Sequence, residues 1–167
     1  AYTQDEINSM SEEDQLTALN ELWRNYCISD SYEPGSTFKP ITIAACLDEG
    51  KASANSTYVC DGGQQVADRY IKCVANKYGG HGALSLGQAL MVSCNDVMMQ
   101  ISAKLGKEKF LEYMDAFGLG RKTGIDLPGE ATGTVFNNDT MHSTQLATSS
   151  FGQSQTVTIC LLYTSDA

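Results

Sequence analysis

Ser36 and Lys39 stand three residues apart, directly behind the turn-forming run Glu33-Pro34-Gly35, and theirs is the only Ser-x-x-Lys in the 167-residue chain. Pro34 and Gly35 break any regular element before them, so a helix starts near Ser36. Pro40 then falls in the first turn, where a missing N–H costs little, and Gly50 stops the helix just after Glu49. Residues three apart on a helix lie on one face, with about 5–6 Å between their Cβ atoms. A lysine amine so placed reaches the serine hydroxyl. Held neutral by burial and by a second cation nearby, it takes the proton as Ser36 attacks a carbonyl. The helix N-terminus adds N–H groups and a dipole that favour the developing oxyanion.

Around this centre the chain reads as α-rich with few strands. Thr3-x-x-Glu6 and Ser9-x-x-Glu12 offer capping boxes, and Leu16, Leu19, Leu22 and Trp23 recur at helical spacing, so one helix is expected over 3–24. From Lys51 to Gly82 the pattern is irregular, with turns at Asp61-Gly62-Gly63 and Gly79-Gly80. Thr57 to Val59 and Tyr70 to Val74 are expected to pair as a hairpin. Ser85-x-x-Gln88 caps a helix reaching about Val92. A second helix starts at Asn95 or Asp96 and ends at Gly106, and a third covers Lys107 to Phe117. Residues 119–150 are loop-rich, with a helix near Met141 to Ser149. No repeat or low-complexity tract interrupts this pattern.

The net charge of −9 argues against nucleic-acid binding, which needs basic patches to neutralise phosphates. No stretch approaches 18 consecutive apolar residues, and no targeting signal is visible. The six cysteines (Cys27, Cys46, Cys60, Cys73, Cys94, Cys160) contain no C-x-x-C pair. Cys60, Cys73 and His81 are conceivable zinc ligands, but structural zinc sites usually bring a closely spaced pair. A Cys60–Cys73 disulfide ranks above that, and buried free thiols rank ahead of both. The pattern thus calls for no metal and no cofactor. His81 and His142 are read as structural.

Ser-x-Asn occurs twice, at Ser53-Ala54-Asn55 and Ser93-Cys94-Asn95. The first follows the Ser36 helix too closely to fold back on it. The second lies at a junction of two helices, where both side chains can project into a cleft. A hydroxyl there relays protons, and an amide orients Lys39 and a substrate amide. Ordinary helix capping accounts for Ser93 and Asn95 as well. The upstream Ser36-x-x-Lys39 favours chemistry.

Four segments together resemble one family. Cys27 to Pro40 is similar to the nucleophile segment of the class B penicillin-binding proteins. Cys73, Gly80-His81-Gly82 and Ala89 to Asn95 resemble the family's second motif in its setting. Phe117 to Glu130 and Ser150 to Gln153 match two further signatures. The resemblance spans roughly residues 20–158, with the motifs in the family's order. It implies the penicillin-binding protein/serine β-lactamase-like α/β (α+β) transpeptidase fold, a helical subdomain beside a five-stranded antiparallel sheet. This piece holds mostly the helical half, with most of the sheet missing and the face that packs on it exposed.

The resemblance further implies a serine D,D-transpeptidase that cross-links peptidoglycan stem peptides outside the cytoplasmic membrane, from a membrane anchor upstream, and is acylated by β-lactam antibiotics. Matched by position, Ser36 is the nucleophile, Lys39 its general base, and Ser93 and Asn95 assist proton transfer and positioning. Lys122-Thr123-Gly124 has the letters of the third motif, yet Ile125 to Glu130 after it fits a loop. Lys122 is therefore read as structural, and the true third motif is expected beyond residue 167. Residues 1–159 are read as a partial transpeptidase domain. Residues 160–167 resemble a non-native adapter translation. Two alternatives remain: a serine β-lactamase, against which no Glu after Asn95 has Asn four residues on, and a non-enzymatic β-lactam sensor.

Overall fold

The computed structural model describes residues 2–165, which form nine α-helices and six short strands. The N-terminal segment is two helices rather than the single one expected. Thr3 and Glu6 form the anticipated capping box on α1 (Gln4–Asn8), but Ser9 ends that helix instead of starting the next. Ser11 caps α2 (Glu12–Trp23) by accepting from the Asp14 N–H. Of α2's residues only Ala18 is buried; Leu16, Leu22 and Trp23 face outward. Helical spacing announced this helix correctly, but its apolar residues are largely exposed rather than packed on the core.

A short helix α3 (Tyr26–Ser29) leads to strand β1 (Ser31–Tyr32), a 3₁₀ turn over Gly35–Phe38, and α4 (Lys39–Asp48). Helix α4 ends as expected at Gly50, whose φ of +62° is easy only for glycine, with the Lys51 N–H closing back on the Cys46 carbonyl. Its inner face packs on α6 (Asn95–Leu105), the central helix of the domain. Val97, Met98 and Ile101 are fully buried, and Met99 and Leu105 nearly so. A helix apolar on most sides must be covered on most sides. Here α4, α7 (Lys107–Ala116) and α8 (Ser143–Ser149) do so. Gly106 separates α6 from α7, as the sequence indicated.

The strands depart from expectation. Three antiparallel pairs form and no larger sheet among the described residues. Strand β2 (Thr57–Cys60) does not pair with residues 70–74. It pairs with β5 (Gly82–Ser85), Cys60 opposite Gly82, while β3 (Gly63–Val66) and β4 (Arg69–Lys72) form their own hairpin. The cause is a two-residue turn at Ala67-Asp68, with Ala67 at φ +52°, which carries none of the glycine that usually marks such turns. Strand β1 pairs with β6 (Val157–Thr158). Thr158 then caps α9 (Ile159–Thr164), where Leu161 is buried. Of the expected non-native tail, residues 160–164 continue this helix, Ser165 caps its end, and Asp166 and Ala167 lie outside the described residues. No helix among the described residues is long and apolar enough to cross a membrane.

Candidate active site

Ser36 sits exposed at the second position of the 3₁₀ turn that runs straight into α4. Two devices hold the turn. Phe38 is fully buried, with its ring 6.3 Å from that of Phe110, and anchors the turn to α7. On the other side, the Gly35 N–H donates to the Gly152 carbonyl at 2.8 Å. Buried Thr42, one turn into α4, donates its hydroxyl to the Ser150 carbonyl at 2.8 Å. This bracing explains Ser150 to Gln153 physically. Gly152 has φ +79°, and a Cβ there would overlap the Gly35 carbonyl oxygen. Only a glycine lets the two backbones meet.

Ser93 and Asn95 are brought to the same place by the end of α5 (Leu86–Met91), which the Ser85/Gln88 capping box starts as expected. The Cys94 N–H bonds the Ala89 carbonyl and the Ser93 N–H bonds the Leu90 carbonyl, the two bonds of a Schellman motif. Cys94 and Ala89 are both fully buried, as that motif's hydrophobic contact requires. The left-handed position, normally glycine, is occupied by Ser93 at φ +53°. A serine there is strained by roughly 1–2 kcal/mol, and its hydroxyl is thrust toward α4.

The result is a chain of three polar groups. The Lys39 amine donates to Ser93 Oγ at 2.7 Å and to the Ser93 carbonyl at 2.7 Å, and Ser93 Oγ donates to Ser36 Oγ at 2.7 Å. The direct Lys39–Ser36 bond anticipated from the spacing is absent; Ser93 stands between them. Lys39 is 1% exposed and is paired with no carboxylate among the described residues. Burial pulls its amine below the ordinary lysine value, partly offset by Cys73 and Cys94. No second cation takes part in that depression. Asn95 opens α6, half-buried, and its amide has no hydrogen-bond partner among the described residues. The Ser53 hydroxyl accepts from the Asn55 N–H and its carbonyl from the Ser56 N–H in a local turn, and Ser53 and Asn55 take no part. Lys122 is exposed in a loop, where Glu130 accepts from the Thr123 N–H, so the triplet lies on no strand.

Behind Ser93 lies a group that sequence reasoning only half saw. All six cysteines are free thiols, so the Cys60–Cys73 disulfide is not formed. Instead Cys60, Cys73, Cys94 and His81 converge, their donor atoms all within 4.8 Å of one another. His81 Nδ1 lies 3.6 Å from the Cys60 sulfur and 3.8 Å from that of Cys73. Burial raises the Cys60 and Cys94 thiols above the usual range. Burial also acts on Cys73, but N–H groups of Ala75, Asp96 and Asn95 directed at its sulfur outweigh it and leave this thiol lowered. Cys94 was the member of this group that sequence reasoning missed, because it lies inside the Ser-x-Asn motif.

Residues 2–164 match the penicillin binding protein transpeptidase domain. Stage V sporulation protein D of Bacillus subtilis is 41% identical over 136 residues, 81% of this chain and 21% of that protein. Peptidoglycan D,D-transpeptidase MrdA of Escherichia coli K12 is 29% identical, over 77% of this chain and 21% of its own length. The crystal structure of Pseudomonas aeruginosa PBP2 superposes with a TM-score of 0.79 at 25% identity, covering 89% of this chain and 38% of that one. The chain thus spans about a fifth of the length of the curated relatives it matches. Sequence, backbone and the order of the motifs agree, and the chain belongs to the penicillin-binding protein transpeptidase family.

Proposed function

We propose that the protein carrying this chain is a serine D,D-transpeptidase that cross-links peptidoglycan stem peptides through an acyl-enzyme on Ser36. The observation that carries the reading is the hydrogen-bonded series Lys39 Nζ, Ser93 Oγ, Ser36 Oγ, each step 2.7 Å. Burial lowers the basicity of this amine, which favours the neutral form that accepts a proton. As Ser36 Oγ attacks a stem-peptide carbonyl, its proton passes to Ser93 Oγ while the Ser93 proton passes to Lys39. The tetrahedral intermediate collapses to a Ser36 ester, and Lys39 returns the proton through Ser93 to the leaving amine. An amine from a second stem peptide then attacks the ester, loses its proton by the same route and frees Ser36. Asn95, with its amide unengaged, orients the substrate amide. A β-lactam acylates the same serine, its ring amide taking the place of the peptide bond.

The family's third motif is assigned to chain outside residues 1–167, so the activity belongs to the longer protein and not to this segment alone. A protein acting on stem peptides would work at the outer face of the cytoplasmic membrane, and we assign its membrane anchor to chain upstream. The test is intact mass after β-lactam treatment of the full-length protein, with Ser36→Ala alongside. A stable adduct that vanishes in the variant is expected. An adduct that clears quickly with release of hydrolysed drug would move the reading to a β-lactamase. No adduct on folded protein would overturn it.

A further inference from the structure

We propose that Glu33 is a positioning residue for acylation: its carboxylate accepts the Ser154 N–H and so holds the turn that presents Ser36. The bond is 2.8 Å long and joins residues 121 apart in sequence. It lies where the backbone does not make the join itself. Strands β1 and β6 pair Ser31 with Thr158 and Tyr32 with Val157. Beyond them, the next backbone hydrogen bond between the two segments, among the described residues, runs from the Gly35 N–H to the Gly152 carbonyl.

By then the register has changed. Continued from Tyr32 and Val157, the ladder would set Glu33 opposite Thr156 and Gly35 opposite Ser154. Instead Thr156 pairs with Thr134, and Gln155 is fully buried. Those two residues are thereby taken out of the seam. Pro34, within the break, has no N–H to donate, and its carbonyl accepts the Thr37 hydroxyl inside the turn at 2.7 Å. The Glu33 side chain spans the gap that is left.

Ser154 is set to meet it. Its φ is +66°, one of three positive values at non-glycine residues among those described, and L side chains adopt that conformation only at a cost. A carboxylate acceptor makes the bond charge-assisted, roughly twice as strong as a neutral one. Glu33 is exposed and makes no ion pair among the described residues, so this bond is the polar contact that fixes its side chain. The lowered basicity of Lys39 comes from burial, offset by Cys73 and Cys94, and the Glu33 charge has no part in it. Glu33 therefore acts through geometry. A turn held at Gly35 alone can pivot about that bond, whereas bonds at Glu33 and Gly35 together fix its direction. The effect on acylation rests on the transpeptidase reading; the clamp itself does not.

The test uses the full-length protein, with saturation kinetics of acylation by a fluorescent penicillin and amide hydrogen exchange. Glu33→Ala should slow the acylation step by about 10–100-fold, the upper figure being the cost of an ångström of misplacement, and leave non-covalent affinity unchanged. Glu33→Gln, whose side-chain carbonyl still accepts from Ser154, should recover most of the rate. Exchange at the Ser154 and Gly35 amides should quicken in the alanine variant and stay near the parent's in the glutamine variant. Should the alanine variant fail to fold, Glu33→Asp, one methylene short of Ser154, should show the same slower step and faster exchange. Parent-like acylation per folded molecule in the shortened variants, a loss confined to affinity, or a glutamine variant as slow as the alanine would overturn the proposal. If the unaltered protein is not acylated, the transpeptidase reading falls, and exchange alone decides the clamp: an unchanged Ser154 amide in Glu33→Ala would sink it.

Discussion

Alanine at either end of the Gly35–Gly152 hydrogen bond should have very different effects. Both glycines have positive φ, +57° and +79°, so each alanine takes on a left-handed cost of about 1–2 kcal/mol. At Gly35 nothing lies within 4 Å of the added methyl, so that cost is the whole effect. At Gly152 the methyl would overlap the Gly35 carbonyl oxygen and lie 2.7 Å from the Gly35 nitrogen. Both obstacles are backbone, which cannot rotate away as a side chain can. The two backbone segments must separate, forfeiting the 2.8 Å Gly35–Gly152 bond, worth about 0.5–1.5 kcal/mol. Overpacking adds about 1–3 kcal/mol. Gly152→Ala should therefore destabilise by roughly 3–6 kcal/mol and Gly35→Ala by only about 1–2 kcal/mol. Ser36 follows Gly35, so an ångström of displacement should slow acylation by about 100-fold in Gly152→Ala. Urea melts and acylation by a fluorescent penicillin, on the full-length protein, measure both. Equal losses at the two positions, or a Gly152→Ala protein as stable and as fast as the parent, would refute the bracing argument.

Three further outcomes are expected. Ser93→Ala and Ser93→Gly both remove the relay hydroxyl and should acylate equally slowly, but the glycine variant should be more stable than the alanine by about 1 kcal/mol, because it fits φ +53° without strain; equal stabilities in denaturant would argue against the strained bend. Burial lowers Lys39 from 10.5, so the rising limb of the acylation–pH profile should have its midpoint below that value and disappear in Lys39→Arg, which stays protonated. Between the lowered value and 10.5 the unfolded chain holds more protons than the folded one, so this group's contribution to stability rises with pH there and is lost as pH falls. Thr42→Val leaves the Ser150 carbonyl without its buried donor and should cost about 1–3 kcal/mol in thermal or urea unfolding, whereas Thr42→Ser, which keeps the bond, should cost less.

Local patterns were legible from the residues alone where local physics decided the outcome. The turn before Ser36, the stop at Gly50, the capping box at Ser85 and the break at Gly106 each depend on a few adjacent residues, and each is where the pattern put it. What spacing alone could not supply was which segments meet. Lys39 and Ser36 share a helix face, yet the buried amine turns to Ser93, 54 residues away, because that hydroxyl is held out by a left-handed bend which serine composition does not announce. The cysteines show the same limit more sharply. Pairing Thr57 to Val59 with residues 70–74 makes Cys60 and Cys73 partners and leaves His81 and Cys94 apart. The actual register instead sets Cys60 opposite Gly82, which carries His81 in beside it. Residues 63–72 fold on themselves, so Cys73 returns to the same corner, and the end of α5 delivers Cys94. One mispaired strand therefore concealed a four-donor cluster. Any substitution at Ala67 or Asp68 that shifts the β3–β4 register by a residue should accordingly disperse the four donors before it disturbs Ser36, whose turn is braced from α7 and Gly152 instead.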